Sequence, residues 1–108
     1  MKLREALIVI LFFCSTASYS QDYYWVGGAG NWTDTSNWAT TSGGSTYHST
    51  LPTSSNDVYF DSLSFPTGVS VTVSDTAYCR DLYWHDVPSK TLSLSNVFKI
   101  HGDLSIQN

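Results

Sequence analysis

Residues 23–38, YYWVGGAGNWTDTSNW, hold three of the four tryptophans of this chain. Three tryptophans lie within fourteen residues of one another. Because a tryptophan is seldom exposed in full, three so close together predict one shared apolar cluster. The glycines between them allow tight turns that a Cβ would forbid. We therefore predict a short strand–turn–strand that closes the end of a larger β-structure. The residues of this structural cap are Trp25, Gly27, Gly28, Gly30, Trp32 and Trp38.

The first twenty residues have the three-part plan of a secretory signal peptide. Lys2 and Arg4 give a basic start, residues 6–13 (ALIVILFF) are apolar, and the residues before position 20 are mostly small. The apolar run is too short to span a bilayer, which needs about 20 residues. We expect cleavage after Ser20, with cleavage after Ala17 as the alternative. The mature chain is then secreted or held at the cell surface, without a membrane span.

The remaining residues, 21–108, are acidic, rich in serine and threonine, and poor in helix formers. Three lysines and arginines against eight aspartates give this part a net charge of −5. Without a basic patch, nucleic acid is not an expected partner. The three histidines lack the spacing of a metal site, and no cofactor is expected. Cys79 is the only cysteine left, so an internal disulfide cannot form. We expect stability to come from stacking on further chain beyond Asn108.

Short alternating segments, typical of an all-β protein, follow the tryptophan-rich stretch. We assign residues 21–68 to the cap, with a polar loop at 39–56, and residues 69–108 to a repeat region. Strands are predicted at 57–61, 69–74, 79–85, 91–95 and 98–106, the last with a break near Gly102.

An internal repeat relates the later strands. VTVSD at 71–75 aligns with LSLSN at 92–96, and DLYW at 81–84 aligns with DLSI at 103–106. A repeat of 20-odd residues predicts a right-handed parallel β-solenoid with two strands per unit, of which this chain holds the first two repeats. Val71 should then lie over Leu92, and Leu82 over Leu104, in parallel strands. A small β-sandwich is the alternative, because short strands also recur there.

The motif W-V-G-G-x-G-N-W-x-x-x-x-N-W, followed by N-D-V-Y-F-D, resembles the start of large secreted surface proteins of Bacteroidetes. It is also similar to the opening of autotransporter-associated β-strand repeats. The resemblance covers roughly residues 23–108 and implies a parallel β-helix or other β-repeat region, with export by type IX secretion. It implies that the chain is a fragment of a longer protein. The matching positions are Trp25, Gly27, Gly28, Gly30, Asn31, Trp32, Asn37, Trp38, Asn56, Asp57, Val58, Phe60 and Asp61.

Several side chains are candidate sites. Aromatic rings stack on sugars, so the candidate carbohydrate contacts are Tyr24, Trp25 and Trp84, and Trp84 is expected to be the more exposed ring of its strand. Ser62 and Thr76 follow aspartates as candidate O-glycosylation sites. Two weaker candidates are a calcium site at Asn56, Asp57 and Asp61 and a pair formed by Cys79 and His101 on adjacent turns.

No set of catalytic residues emerges from the sequence. The first functional hypothesis is a non-enzymatic N-terminal segment of an exported surface protein, with an adhesive or structural role. The alternatives are a polysaccharide-binding module and the leading piece of a polysaccharide-cleaving β-helix enzyme. Polysaccharide and cell-surface components are the expected partners.

Overall fold

The structure, a computed structural model, describes residues 21–107, so the predicted signal peptide lies outside the described residues. Within this range the chain is all-β, as the sequence predicts, with one three-residue 3₁₀ turn at Thr35–Asn37. No helix of the described part is long and apolar enough to cross a membrane. The strands are β1 (Asp22–Trp25), β2 (Gly30–Asn31), β3 (Trp38–Ala39), β4 (Asp57–Phe60), β5 (Ser70–Val73), β6 (Ala77–Cys79), β7 (Leu82–His85), β8 (Thr91–Leu94), β9 (Phe98–Ile100) and β10 (Leu104–Gln107).

The strands of residues 21–107 form three sheets around one apolar core. The first sheet has the order β10-β7-β4-β1-β3, the second β2-β5-β8, and the third β6-β9. All neighbours within these sheets run parallel except β1 and β3, which run antiparallel. A short antiparallel strand therefore closes one edge of an otherwise parallel sheet.

The predicted strand register is confirmed. Strands β5 and β8 run parallel with Val71 beside Leu92, and β7 and β10 run parallel with Leu82 beside Leu104. Alternate residues of each strand face the core because side chains alternate between the two faces. Val71, Val73 and Leu82 are accordingly buried.

The prediction of two strands per repeat was wrong. Residues 70–85 form three strands, β5 to β7, and each pairs with one of the three strands β8 to β10. The predicted strand at 79–85 is divided between β6 and β7, with a corner at Arg80 and Asp81. The sequence predicted a break near Gly102, between the segments that form β9 and β10. It did not predict the corresponding corner at Arg80 and Asp81, because that corner contains no glycine or proline. Backbone hydrogen bonds fix that corner instead. The Arg80 N–H donates to the Asn56 carbonyl at 2.7 Å, and the Val58 N–H donates to the Asp81 carbonyl at 2.9 Å.

Candidate functional site

The aromatic cap, formed by Trp25, Trp32, Trp38 and Phe60, fills one end of the core. Each of these side chains is at most 1% exposed. The Trp38 ring lies at the centre, 4.9 Å from Trp25 and 4.7 Å from Trp32, in edge-to-face contacts. The Trp25 indole N–H donates to the Gly28 carbonyl at 2.9 Å, and that of Trp38 donates to the Trp32 carbonyl at 2.9 Å. Both buried donors are satisfied, which makes this cluster a packing element rather than a binding surface.

The glycines of the cap occupy positions that leave no room for a side chain. Gly28 has a φ of +63°, and a Cβ placed there would lie 2.2 Å from the Thr67 carbonyl oxygen. A Cβ on Gly27 would overlap the side chain of Asn37, whose amide nitrogen donates to the Asn31 carbonyl at 3.1 Å. The glycine spacing thus lets the Asn37 amide and a neighbouring loop reach the backbone between the tryptophans.

Three tyrosines on the outer face of the first sheet form a stack that the sequence analysis did not foresee. Tyr24, Tyr59 and Tyr83 lie side by side on β1, β4 and β7. Their ring centroids are 4.8 Å and 4.6 Å apart, with interplanar angles of 15° and 5°. Burial, with a smaller contribution from the Asp22 charge, raises the pKa of Tyr59 to about 12. The recurring pattern D-x-Y at 22–24, 57–59 and 81–83 was the available signal.

The candidate carbohydrate contacts fall in three different environments. Tyr24 is partly exposed and belongs to the tyrosine stack, whereas Trp25 is fully buried in the cap and offers no surface to a ligand. The expectation that Trp84 is the outward ring of β7 was wrong. Trp84 lies beside Phe60, with ring centroids 4.8 Å apart, and packs against the core, while Tyr83 faces outward. Leu82 is buried in the core, and because side chains alternate along a strand, Trp84 faces the same side as Leu82 and Tyr83 faces the other.

Aspartates at the strand starts bind the backbone of the neighbouring strand. The Asp57 carboxylate accepts the Asp81 N–H at 3.2 Å, and the Asp81 carboxylate accepts the Asp103 N–H at 2.8 Å. Asp57 also accepts two hydrogen bonds from the Arg80 guanidinium, both at 2.8 Å. These bonds account for the aspartate that recurs at equivalent positions of the sequence repeat.

The proposed calcium ligands are engaged in local hydrogen bonds. The Asn56 side-chain oxygen accepts the Thr53 N–H at 2.8 Å, and the Asp61 carboxylate accepts the Leu63 N–H at 2.9 Å. Asp57 pairs with Arg80. Among residues 21–107 no group of three or more histidine, cysteine or acidic side chains is placed to hold a metal ion. The three side chains therefore serve turns and an ion pair.

The Asp57–Arg80 pair predicts a specific pH dependence. Hydrogen bonds from Arg80 lower the pKa of the Asp57 carboxyl. A carboxyl with a lowered folded-state pKa stabilises the fold above its unfolded-state pKa of about 3.9, and this contribution is lost as the pH falls through the folded-state pKa. We expect Arg80→Met to lower the urea midpoint at pH 7, and the difference from the unmodified protein to shrink as the pH falls through the lowered folded-state pKa of Asp57.

The control for this prediction is Lys99→Met, which removes an exposed cation whose Nζ lies 6.0 Å from the centroid of the Tyr78 ring. It should leave the midpoint nearly unchanged at pH 7 and at acid pH. Asp22 contributes with the opposite sign, because burial and the Asp57 charge raise its pKa. An undiminished effect of Arg80→Met at acid pH would show that Arg80 acts through packing and not through its ion pair.

The predicted stacking of Cys79 and His101 was wrong. The register of β6 and β9 places Ile100 beside Cys79, one residue before His101. The prediction used the offset of the first sheet, whereas the third sheet has an offset one residue shorter. Cys79 is fully buried, and burial raises the pKa of its thiol to about 12. Such a thiol is a small core side chain and a poor nucleophile.

Both candidate O-glycosylation residues lie on exposed turns. Ser62 follows β4 in an exposed bend, and Thr76 precedes β6. The Thr76 hydroxyl donates to the Asn96 side-chain oxygen at 3.3 Å. Their exposure is compatible with modification and does not test it.

The end of the core opposite the cap is open. A groove of about 460 Å³ runs along β8, β9 and β10. It is lined by Leu92, Leu94, Phe98, Ile100, Leu104 and Ile106 together with residues of β7 and the turn after it. Leu94, Leu104 and Ile106 are 55%, 55% and 61% exposed. Strands β8, β9 and β10 also end their respective sheets, so each has an unpaired backbone edge within the described residues.

The molecule therefore offers a filled aromatic cap, an outer face with stacked tyrosines, and an open apolar end. No protein-family model, curated protein or solved structure matches the chain.

Proposed function

We propose that this chain is the capped beginning of a right-handed parallel β-solenoid in an exported protein, with a structural or adhesive role at the cell surface. The observation that carries the proposal is the contrast between the two ends of the core. One end is filled by aromatic side chains, and the other exposes apolar side chains and three strand edges. This contrast supports a molecule that is extended in one direction.

The capped end supports the proposal because it prevents stacking on that side. Strand β3 runs antiparallel along β1, and the Ala39–Tyr47 bridge continues the loop over this edge. The loop is held by His48, whose ring stacks on Tyr23 at 3.7 Å and whose Nε2 lies 2.9 Å from the Asp22 carbonyl oxygen. Terminal caps of this kind protect the core of repeat proteins.

The open end supports the proposal because one more coil would pair its free strand edges and cover its exposed apolar side chains. Each strand from β8 to β10 lies 21 or 22 residues after a parallel partner. A further coil with the same spacing would pair all three free edges and cover Leu94 and Ile106 together. Exposed apolar strand edges are otherwise prone to aggregate, which natural proteins avoid by covering them.

The outer faces favour a structural role over catalysis. Thr72 and Ser93 lie side by side on the second sheet, and Ser105 lies beside Tyr83 on the first. The carboxylates of Asp57 and Asp81 bind backbone N–H groups, an arrangement that orders neighbouring coils. A polar exterior of this kind keeps a stack of coils in solution while its core stays apolar.

The test is to add one coil. A variant carries a second copy of residues 86–107 directly after Gln107, so that new strands follow β8, β9 and β10 after 22 residues, the spacing between β7 and β10. We expect it to unfold cooperatively with a Tm raised by about 5 °C or more, because the added coil buries the open apolar groove. Calorimetry measures the Tm, and circular dichroism measures the gain in strand content.

The control appends the same residues in a scrambled order that breaks the alternation of apolar and polar positions. It should leave the Tm of the folded part unchanged and add a disordered tail. If the ordered copy also adds no strand content and no stability, the core does not continue at this end and the solenoid proposal is wrong. A closed β-sandwich would give that result.

Export is tested separately on the full chain, which begins at Met1. Expressed in a bacterium with a general secretory pathway, the mature protein should begin at or near Gln21, since cleavage after Ser20 removes the predicted signal. Mass spectrometry of material from the cell envelope and medium gives the first residue. An intact Met1 on envelope material would contradict export by this signal.

A further inference from the structure

We propose that the outer face of the first sheet binds a neutral pyranose ring in the position that continues the tyrosine stack over Ser105. The register across this face is Tyr24, Tyr59, Tyr83 and then Ser105. Three of these four positions carry stacked rings, and the fourth carries a small hydroxyl. Of the three carbohydrate contacts considered above, Tyr24 belongs to this stack, whereas Trp25 and Trp84 do not.

The geometry of the stack shows which face of Tyr83 is not covered by another tyrosine ring. The centroids of neighbouring rings are 4.6–4.8 Å apart and the ring planes are nearly parallel, so each ring covers the face of the next. Within the tyrosine stack, Tyr83 has a ring neighbour only on the side of Tyr59. Its other face points toward β10, where Ser105 occupies the place of a fourth ring. Strand β10 is the last strand of its sheet, so within residues 21–107 no ring lies beyond Ser105, and a sugar ring can lie flat on Tyr83.

Polar groups border this space on two sides. On one side lies His85, whose ring meets Tyr83 edge-on at 5.6 Å and whose Nε2 lies 2.9 Å from the Ser105 hydroxyl oxygen. On the other side, the Asp103 N–H donates to the Asp81 carboxylate at 2.8 Å, and the Tyr83 hydroxyl donates to the same carboxylate at 3.4 Å. Asp103 is exposed, and within residues 21–107 its carboxylate has no hydrogen-bond partner.

This combination favours a neutral sugar over other ring compounds. Carboxylates only accept hydrogen bonds, and the hydroxyl groups around a pyranose are donors that match them. The acidic border disfavours an anionic ligand, and a ring without hydroxyls would offer no donor to the Asp103 carboxylate. A further coil would pair with β10 on the side away from Tyr83, and the proposal requires only the ring face of Tyr83 above Ser105.

The experiment uses the mature chain, residues 21–108, and records two-dimensional NMR spectra during titration with methyl β-glucopyranoside, cellohexaose, mannohexaose and xylohexaose. Concentrations up to about 10 mM are used, because one ring contact gives affinities in the millimolar range. We expect at least one hexasaccharide to shift the signals of Tyr83, His85 and Ser105 in a saturable manner. Benzyl alcohol, a ring without the set of hydroxyls, should not.

Two variants sharpen the test. Ser105→Tyr places a fourth ring in the vacant position and should weaken binding by tenfold or more while the protein stays folded. The matched control is Ser93→Tyr, the same change on the outer face of the second sheet, which should bind as the unmodified protein does. Asp103→Ala, an exposed change that preserves the fold, should weaken binding several-fold through the loss of an acceptor.

Three results would overturn the proposal. The first is the absence of saturable shifts at Tyr83, His85 and Ser105 with every sugar of the panel. The second is unchanged binding by both Ser105→Tyr and Asp103→Ala. The third is equal binding of benzyl alcohol, which would show an apolar ring site without sugar recognition.

Discussion

Trp38→Ala is expected to destabilise the protein by about 3–5 kcal/mol, the usual range for truncating a buried large aromatic side chain. The Trp38 ring is fully buried and meets three other rings of the cap, those of Trp25, Trp32 and Phe60. Its removal leaves a cavity at the centre of the cluster and frees the Trp32 carbonyl from its indole donor. Urea unfolding followed by circular dichroism measures the loss.

The matched control is Tyr47→Ala in the same cap and loop region. Tyr47 is 50% exposed and contributes its backbone to the bridge with Ala39, so truncating its side chain should change stability by about 0.5 kcal/mol or less. A loss below about 1 kcal/mol for Trp38→Ala would mean that the cap is loosely packed. The proposal that the aromatic cap closes this end of the core would then be wrong.

Gly28→Ala is expected to cost about 3 kcal/mol or more. The backbone there has a φ of +63°, where an L side chain is strained by about 1–2 kcal/mol. The new Cβ would also lie 2.2 Å from the Thr67 carbonyl oxygen, and a backbone atom cannot move aside cheaply. Relieving this overlap would disturb the hydrogen bond from the Gly28 N–H to the Ser64 carbonyl at 2.9 Å.

Gly43→Ala separates the two causes of that loss. Gly43 also has a positive φ, of +65°, but the atom nearest to a new Cβ is the end of the Leu63 side chain. Leu63 is 56% exposed and can rotate away, so only the backbone strain of about 1 kcal/mol remains. Equal losses for the two glycines, measured by urea unfolding, would show that close approach of the backbone to Gly28 is unimportant.

Local patterns predicted much of the fold because they act over a few residues. The alternation in VTVSD and LSLSN predicts short strands, and their similarity predicts which of them pair. That prediction gave the correct neighbours for Val71 and Leu82. The density of tryptophan and glycine likewise pointed to a buried cluster before any contact was known, since such rings must be covered.

Corners and registers were less predictable because they depend on atoms far apart in the sequence. The corner at Arg80 and Asp81 is set by hydrogen bonds to β4 and to the residue before it, more than twenty residues upstream. A difference of one residue between the offsets of two sheets was enough to separate Cys79 from His101. Since side chains alternate along a strand, a shift of one residue exchanges the inner and outer faces.

The all-β class, the parallel pairing of the later strands and the buried tryptophans of the cap could be predicted from the sequence, because each follows from the alternation or size of nearby side chains. The stacking of Tyr24, Tyr59 and Tyr83 and the inward position of Trp84 could not be predicted in this way. Those outcomes require strands far apart in the chain to meet in one register, and register is a property of the assembled sheets. The position over Ser105 exists for the same physical reason.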